Sequence, residues 1–212
     1  MAYNVNSLTD DCYPNTLCLI NKFDIRDEEQ LSAIEADITF AKSSEWERNP
    51  LLESFDFNHY KAIHKFLFED LYSWAGELRS IDISKKGTSF CSAYNLEEMC
   101  RKSFDYLKSK HLFINLDKIE FVDEMVDFYC TTNMLHPFRE GNGRTQRLFI
   151  SQLIRHNGYD FNFSDIDTDE LMIATIHSAN GVTDFLRDIF LKNAMLFINL
   201  KKFKTIKLLL FL

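Results

Sequence analysis

Positive charge is what this sequence has least to spare: 24 Lys and Arg against 32 Asp and Glu leave a formal net charge of −8. A broad basic face for nucleic acid or an anionic membrane is thereby excluded, and any anion site must be local. Neither an HExxH nor a paired CxxC occurs, so zinc chemistry has no motif to rest on. The five cysteines, Cys12, Cys18, Cys91, Cys100 and Cys130, are odd in number and scattered. That argues against a disulfide framework and for reduced thiols in a cytoplasmic protein. No window reaches the roughly 18 uninterrupted apolar residues of a membrane span. The opening stretch, MAYNVNSLTDDCYPNT, carries none of the basic and apolar blocks of a secretory leader.

Glycine and proline are scarce as well, with 6 and 3 residues in 212. Together with long apolar periodicities, that points to a mostly helical chain. What is abundant is core material: 46% apolar residues, 14% aromatic, 20 of them Phe. A sizeable core and a single domain over 1–212 follow, its body at about 12–195 and an apolar, Lys-broken tail at 196–212 that is a candidate dimer contact.

Residues 27–48 read as an amphipathic helix stopped before Pro50. A second helix keeps Tyr60, Ile63, His64, Leu67, Leu71 and Trp74 in register, with Asp56 or Asn58 as N-cap and Gly76 as its stop. The pattern then breaks. Ile81 and Ile83 alternate with polar residues and Lys86-Gly87 offers a turn, which predicts a two-stranded hairpin. Asn95 and Glu98 resemble a capping box for a helix over about 95–109. Further helices are expected near 117–135, from 142–144 to Gly158, and near 168–178 and 182–199. The fourth must end at His136-Pro137, because a residue before proline avoids the α region.

Against this background the stretch HPFREGNGRTQR, 136–147, stands out. It holds two of the six glycines, one of the three prolines and a cluster of arginines. On the helix map it is a helix end, a Gly-Asn-Gly turn and the start of a new helix. Free N–H groups at that start, with the positive end of the helix dipole behind them, form an anion site. Arg144 and Arg147 rise from the same turns and can meet phosphate oxygens bidentately. Glu140 beside those oxygens calls for a bridging cation, and Mg²⁺ suits one carboxylate plus phosphates. His136 is a candidate proton acceptor. Anion cradle, metal carboxylate, arginine clamp and base are the parts of a phosphoryl or nucleotidyl transfer site. The remaining histidines do not converge, and His59 and His64 read as core or surface residues.

At every fixed position this stretch resembles the signature of Fic-domain proteins, His-x-Phe-x-(Asp/Glu)-Gly-Asn-Gly-Arg-x-x-Arg. The likeness extends to FNHYKAIHKFLFEDLYSWAGELR and to IDISKKGTSFC, which is similar to the family's flap. It also reaches YPNTLCLINKFDIRDEEQLSAIEADIT, similar to the N-terminal segment of Fic toxins and effectors that work with a separate antitoxin. The resemblance implies an all-α Fic fold, a helical bundle with a small β-hairpin flap over the active site. It implies transfer of AMP from ATP, with Mg²⁺, to a Ser, Thr or Tyr hydroxyl of a target protein. His136 would be the base and Phe138 the loop anchor. Glu140 would hold the metal, and Gly141, Asn142, Gly143, Arg144 and Arg147 would bind phosphate. Ile83, Ser84, Lys85, Lys86, Gly87, Thr88, Ser89, Phe90 and Cys91 would form the target-docking flap. Some relatives that phosphorylate carry Lys where this chain has Gly143, so AMP transfer is the favoured chemistry. Two other readings share the motif: a Fic-fold module that binds nucleotide without turnover, and a transferase of another phosphate-linked group.

Many Fic proteins are inhibited by a helix bearing (Ser/Thr)-x-x-x-Glu-(Gly/Asn), whose Glu pairs with the second arginine, here Arg147. Only Ser43…Glu47 and Ser73…Glu77 satisfy its first part, and Arg48 and Leu78 follow them. The resemblance therefore implies inhibition in trans by a small antitoxin; the alternatives are that Glu47 does the work despite Arg48, or that the chain is unregulated.

Overall fold

The computed structural model describes residues 11–50, 53–85 and 87–196. Most of the tail expected to matter for assembly, from 197 on, lies outside the described residues, as does Lys86 of the flap. Seven α-helices carry the described chain: α1 Glu28–Arg48, α2 Phe57–Phe68, α3 Leu96–Ser109, α4 Lys118–Leu135, α5 Asn142–His156, α6 Thr168–Ser178 and α7 Asp184–Asn193. Four of them open on an aspartate. Asp27, Asp56, Asp117 and Asp167 each accept a hydrogen bond from backbone N–H groups of the first turn, which satisfies donors no helical carbonyl can reach.

Three boundaries differ from the sequence expectation. Helix α2 stops at Phe68, well short of Gly76. The N–H groups of Leu71 and Tyr72 both turn back to the Phe68 carbonyl, at 3.0 and 2.9 Å, so the chain closes on itself while still burying both side chains. Apolar spacing survived the bend and concealed it. The capping box at Asn95 does not form: its side chain makes no capping bond and it ends a short 3₁₀ turn, Ala93–Asn95. Asp82 caps that turn instead, accepting from the Ala93 N–H at 2.7 Å. Helix α7 ends at Asn193 and the chain turns into a strand. Met195–Leu196 (β4) pairs antiparallel with Tyr159–Asp160 (β3), a pairing between remote segments that no local pattern announces. The flap hairpin is present but short, with Ser84–Lys85 (β1) pairing with Thr88–Ser89 (β2).

Helices α2, α3 and α5 meet around Phe149, whose ring lies 5.8 Å from Phe55, 5.4 Å from Tyr60 and 5.4 Å from Phe104, each edge-on. Burying one such ring is worth about 1.5–3 kcal/mol. Among the described residues no helix is long and apolar enough to cross a membrane, and no disulfide joins the cysteines.

Three histidines, His59, His64 and His136, are sealed into this body. Burial pushes His59 down to about 4 and His64 and His136 down to about 3, from an ordinary 6.5. Protons therefore bind the unfolded chain first. The stability these groups contribute is whole above pH 6.5 and drains away as pH falls toward 4, by about 1.4 kcal/mol per pH unit per histidine. Glu140 and Asp127, pushed up by burial, work in the opposite sense but are two groups against three. Urea unfolding at pH 7.5 and pH 5 is expected to show a much lower midpoint at pH 5; equal midpoints would contradict the burial of neutral imidazoles.

Candidate active site

The loop between α4 and α5 is built from both ends. Helix α4 closes with His136 in a left-handed conformation, φ 44° and ψ 59°, a strained state for a non-glycine residue and one that recurs at functional sites. Phe138 then plunges into the core, fully buried, with its ring 3.8 Å from His64 and 5.7 Å from Tyr60. Asn142 locks the turn from inside. Its Oδ1 accepts from the Phe138 N–H at 2.8 Å and its Nδ2 donates to the Phe138 carbonyl at 2.7 Å. The Asn142 side chain is thus committed to the loop, and what it offers an anion is its backbone N–H at the start of α5.

The orientation of His136 follows from its partner. Nδ1 lies 2.9 Å from the Asn133 carbonyl, which can only accept. The proton therefore sits on Nδ1 and the lone pair on Nε2. Phe90 of the flap stacks on the imidazole, centroids 3.8 Å apart and 11° from parallel. Burial keeps the ring unprotonated at neutral pH.

Two hollows adjoin at Lys85, which lines both. The larger, about 460 Å³, is walled by His136, Gly143, Arg147, Phe90 and Thr88 together with apolar residues of α6. The smaller, about 310 Å³, is walled by Glu140, Arg144, Arg139, Tyr72 and Glu35. The structure thus separates the two arginines expected to act as one clamp. Arg147 looks into the hollow of His136. Arg144 looks into its neighbour and lies 3.7 Å from Glu140. Arg139, the third arginine of the cluster, contributes to the wall of the smaller hollow but is buried and ion-paired with Asp11, tying the N-terminal turn to the loop.

Glu140 is largely enclosed, and burial raises its pKa above the ordinary carboxylate range, opposed by the Gly141 N–H on its Oε1 at 2.9 Å. A cation beside it would favour the charged form. Among the described residues no group of three or more His, Cys, Asp or Glu could cage a metal. An ion here would rest on one carboxylate and on oxygens brought by its ligand, the donor set that suits Mg²⁺.

Sequence reading missed four residues that position these parts. Arg79 is buried against the loop and the flap at once. Its Nε donates to the His136 carbonyl at 2.8 Å, Nη1 to that of Ile81 at 2.7 Å, and Nη2 to those of Cys91 and, at 3.3 Å, Leu135. His64 accepts from the Gly76 N–H on Nδ1 at 2.8 Å, so its Nε2–H donates to the Glu140 carbonyl at 3.0 Å. Glu35 of α1 meets Arg144, and Tyr72, from the turn after α2, donates its hydroxyl to Glu35. Nothing in the motif names any of them. The candidate inhibitory acid Glu47 lies elsewhere, 3.4 Å from Arg155. Arg147 has no ion pair among the described residues, and Cys91, a thiol pushed up by burial, is no thiolate nucleophile.

Comparison with known proteins places this geometry among relatives. The family model described as Fic/DOC matches residues 54–154. "Protein adenylyltransferase VbhT" of Bartonella schoenbuchensis is 34% identical over 180 residues, 85% of this chain but only 38% of that longer protein. "Probable protein adenylyltransferase Fic" of Escherichia coli is 32% identical over 180 residues, 85% of this chain and 89% of that protein. Among solved structures, the N-terminal Fic domain of a VirB-translocated Bep effector from Bartonella quintana, with bound ADP, superposes with a TM-score of 0.82 at 25% identity, over 88% of this chain and 95% of that one.

Proposed function

The chain belongs to the Fic/DOC family, and from that premise we propose that it moves AMP from ATP to a Ser, Thr or Tyr hydroxyl of a target protein. It is a protein adenylyltransferase, as its full-length relative in Escherichia coli is named. One observation carries the reading: the neutral imidazole of His136, the N-terminus of α5 with Arg147, and the flap residues Thr88 and Phe90 line one hollow of about 460 Å³, large enough for a nucleotide.

The chemistry proceeds on this chain's own groups. His136 Nε2 takes the proton of the target hydroxyl. The hydroxyl oxygen forms a bond to the α-phosphorus of ATP as the bond from that phosphorus to the bridging oxygen breaks, and pyrophosphate leaves with the electron pair. With a pKa near 3 the free imidazole is a weak base. Phosphate charge arriving within a few ångströms favours its protonated form and strengthens it when it is needed. Backbone N–H groups of α5 and the guanidinium of Arg147 face the charge that spreads over the phosphoryl oxygens. Gly143 keeps that approach open, since a Cβ there would sit 3.2 Å from Arg147 Nη1. Mg²⁺, when bound on Glu140, supplies neutralising charge to the polyphosphate.

Two partners belong to this reading. The target segment adds as a strand along the flap, which places its hydroxyl beside His136. A small antitoxin supplies the carboxylate that the described residues do not bring to Arg147; the engagement of Glu47 with Arg155 supports a source in trans. The chain is then the toxin of a two-protein module.

Parallel incubations of a bacterial lysate with ATP labelled at the α- or the γ-phosphate decide the transferred group. A protein band labelled from the α position alone is the expected result. Label arriving from the γ position would make the enzyme a kinase and overturn the assignment based on Gly143.

A further inference from the structure

Arg144 is held in place by residues that lie outside the loop. Its Nη2 is ion-paired with Glu35 Oε1, its Nη1 donates to Thr39 Oγ1 at 3.1 Å, and its guanidinium carbon lies 4.8 Å from the centre of the Phe68 ring. Glu35 Oε2 accepts from the Tyr72 hydroxyl. Thr39 spends its own proton on the Glu35 carbonyl, one turn back, at 2.7 Å, so its oxygen is turned to Arg144 as an acceptor. Glu35 and Thr39 thus come from one face of α1, four residues apart.

The setting is unusual for a surface ion pair. Among the described residues Glu35 is the one acidic residue in the buried class, although α1 has solvent-facing positions to spare. A buried ion pair is weak evidence for stability, because desolvation offsets the attraction; its better-attested use is to specify one geometry. Here the geometry specified is that of a phosphate-facing fork. Two nitrogens of Arg144 are tied back to α1, while the side chain keeps 26% exposure toward the smaller hollow. A flexible arginine is thereby pre-ordered before any ligand arrives.

We infer that Glu35, supported by Thr39 and Tyr72, is a positioning residue for polyphosphate recognition: it fixes the Arg144 guanidinium so that its remaining N–H donors meet the phosphates beyond the α-phosphate. The inference rests on the nucleotide site proposed above. A releasable brake, in which Glu35 competes with phosphate for Arg144, would need α1 to move. Helix α1 is anchored by Trp46, 1% exposed, whose Nε1 donates to Gln152 of α5 at 2.9 Å.

Calorimetric titration of wild type, Glu35→Gln and Tyr72→Phe with ATP and with AMP, at one fixed Mg²⁺ concentration, tests this. Glu35→Gln is expected to weaken ATP about tenfold, the size of one charge-assisted hydrogen bond, and to leave AMP within about twofold. Tyr72→Phe removes one hydroxyl from the network and is expected to weaken ATP about threefold, again sparing AMP. It keeps the test open should the charge change prevent folding. Equal losses for the two nucleotides would make the pair merely structural, and tighter ATP binding would make it a brake; either overturns the inference. A wild type that binds neither nucleotide overturns the proposed function, and the inference with it. A wild type that binds both, with Glu35→Gln unchanged, overturns the inference alone.

Discussion

With His136 replaced by alanine, AMP transfer is expected to fall by about 10²–10⁴-fold, the usual worth of a positioned general base, while ATP still binds. The residue contributes only its imidazole to the chemistry. The rest of its local structure runs through backbone: its carbonyl accepts from Arg79 and its N–H bonds the Thr132 carbonyl at 3.3 Å, and both survive the change. The left-handed backbone at φ 44° costs an alanine roughly 1 kcal/mol. Asparagine tolerates that conformation better and offers no base of comparable strength, so His136→Asn should lose as much activity with less effect on stability. Label from α-labelled ATP entering a lysate protein with wild type and with neither variant is the expected outcome, and the band reports the mass of the target. Equal labelling by wild type and both variants would remove His136 from the chemistry. No label even with wild type, beside measurable ATP binding, would turn the assignment toward a nucleotide-binding module or a bound inhibitor.

Gly141→Ala is expected to be the most damaging single methyl in the loop. Gly141 sits at φ +77°, where an alanine is strained. An added Cβ would also fall inside contact distance of Phe68 Cζ and Cε2 and 2.9 Å from Cε1. Phe68 cannot simply step aside. It is fully buried, stacked on His64 at 4.7 Å, with the Arg144 guanidinium over its ring at 4.8 Å. Displacing it disturbs the histidine that bonds the Glu140 carbonyl and the arginine that faces phosphate. Overpacking of about 1–3 kcal/mol plus about 1–2 kcal/mol of backbone strain gives a total of roughly 2–5 kcal/mol. At about 2–4 °C per kcal/mol for a domain of this size, Tm should drop by about 10 °C. Gly87→Ala is the internal control: it has a similar φ of +82° but nothing within 4 Å of the added carbon, so only strain applies and the melting shift should be a few degrees at most. Equal shifts for the two variants would show that Phe68 yields, and that the loop is softer than its packing suggests.

Much of the helical frame was legible because its causes are local. Asp27 and Asp56 cap helices their own neighbours begin, and Pro137 ends α4 through the residue before it. Legibility failed where a short-range pattern had two readings. Leu71 and Tyr72 keep core spacing through a turn, so apolar spacing runs on past the end of α2, and Asn95 with Glu98 has the spelling of a capping box without its geometry.

The chemistry on offer is written into the chain locally: a contiguous stretch with histidine, carboxylate, turn glycines and arginines, set between two helices. Contiguity is why it could be read, since residues a turn apart stay in one neighbourhood whatever the rest of the chain does. How those groups are held depends on long-range packing. It sends Arg139 to Asp11, separates Arg144 from Arg147 into adjoining hollows, and brings Glu35 to Arg144 across 109 positions and Arg79 to His136 across 57. Such partners are chosen by the packing of whole helices, because a buried charge must find its counterpart wherever the fold provides one.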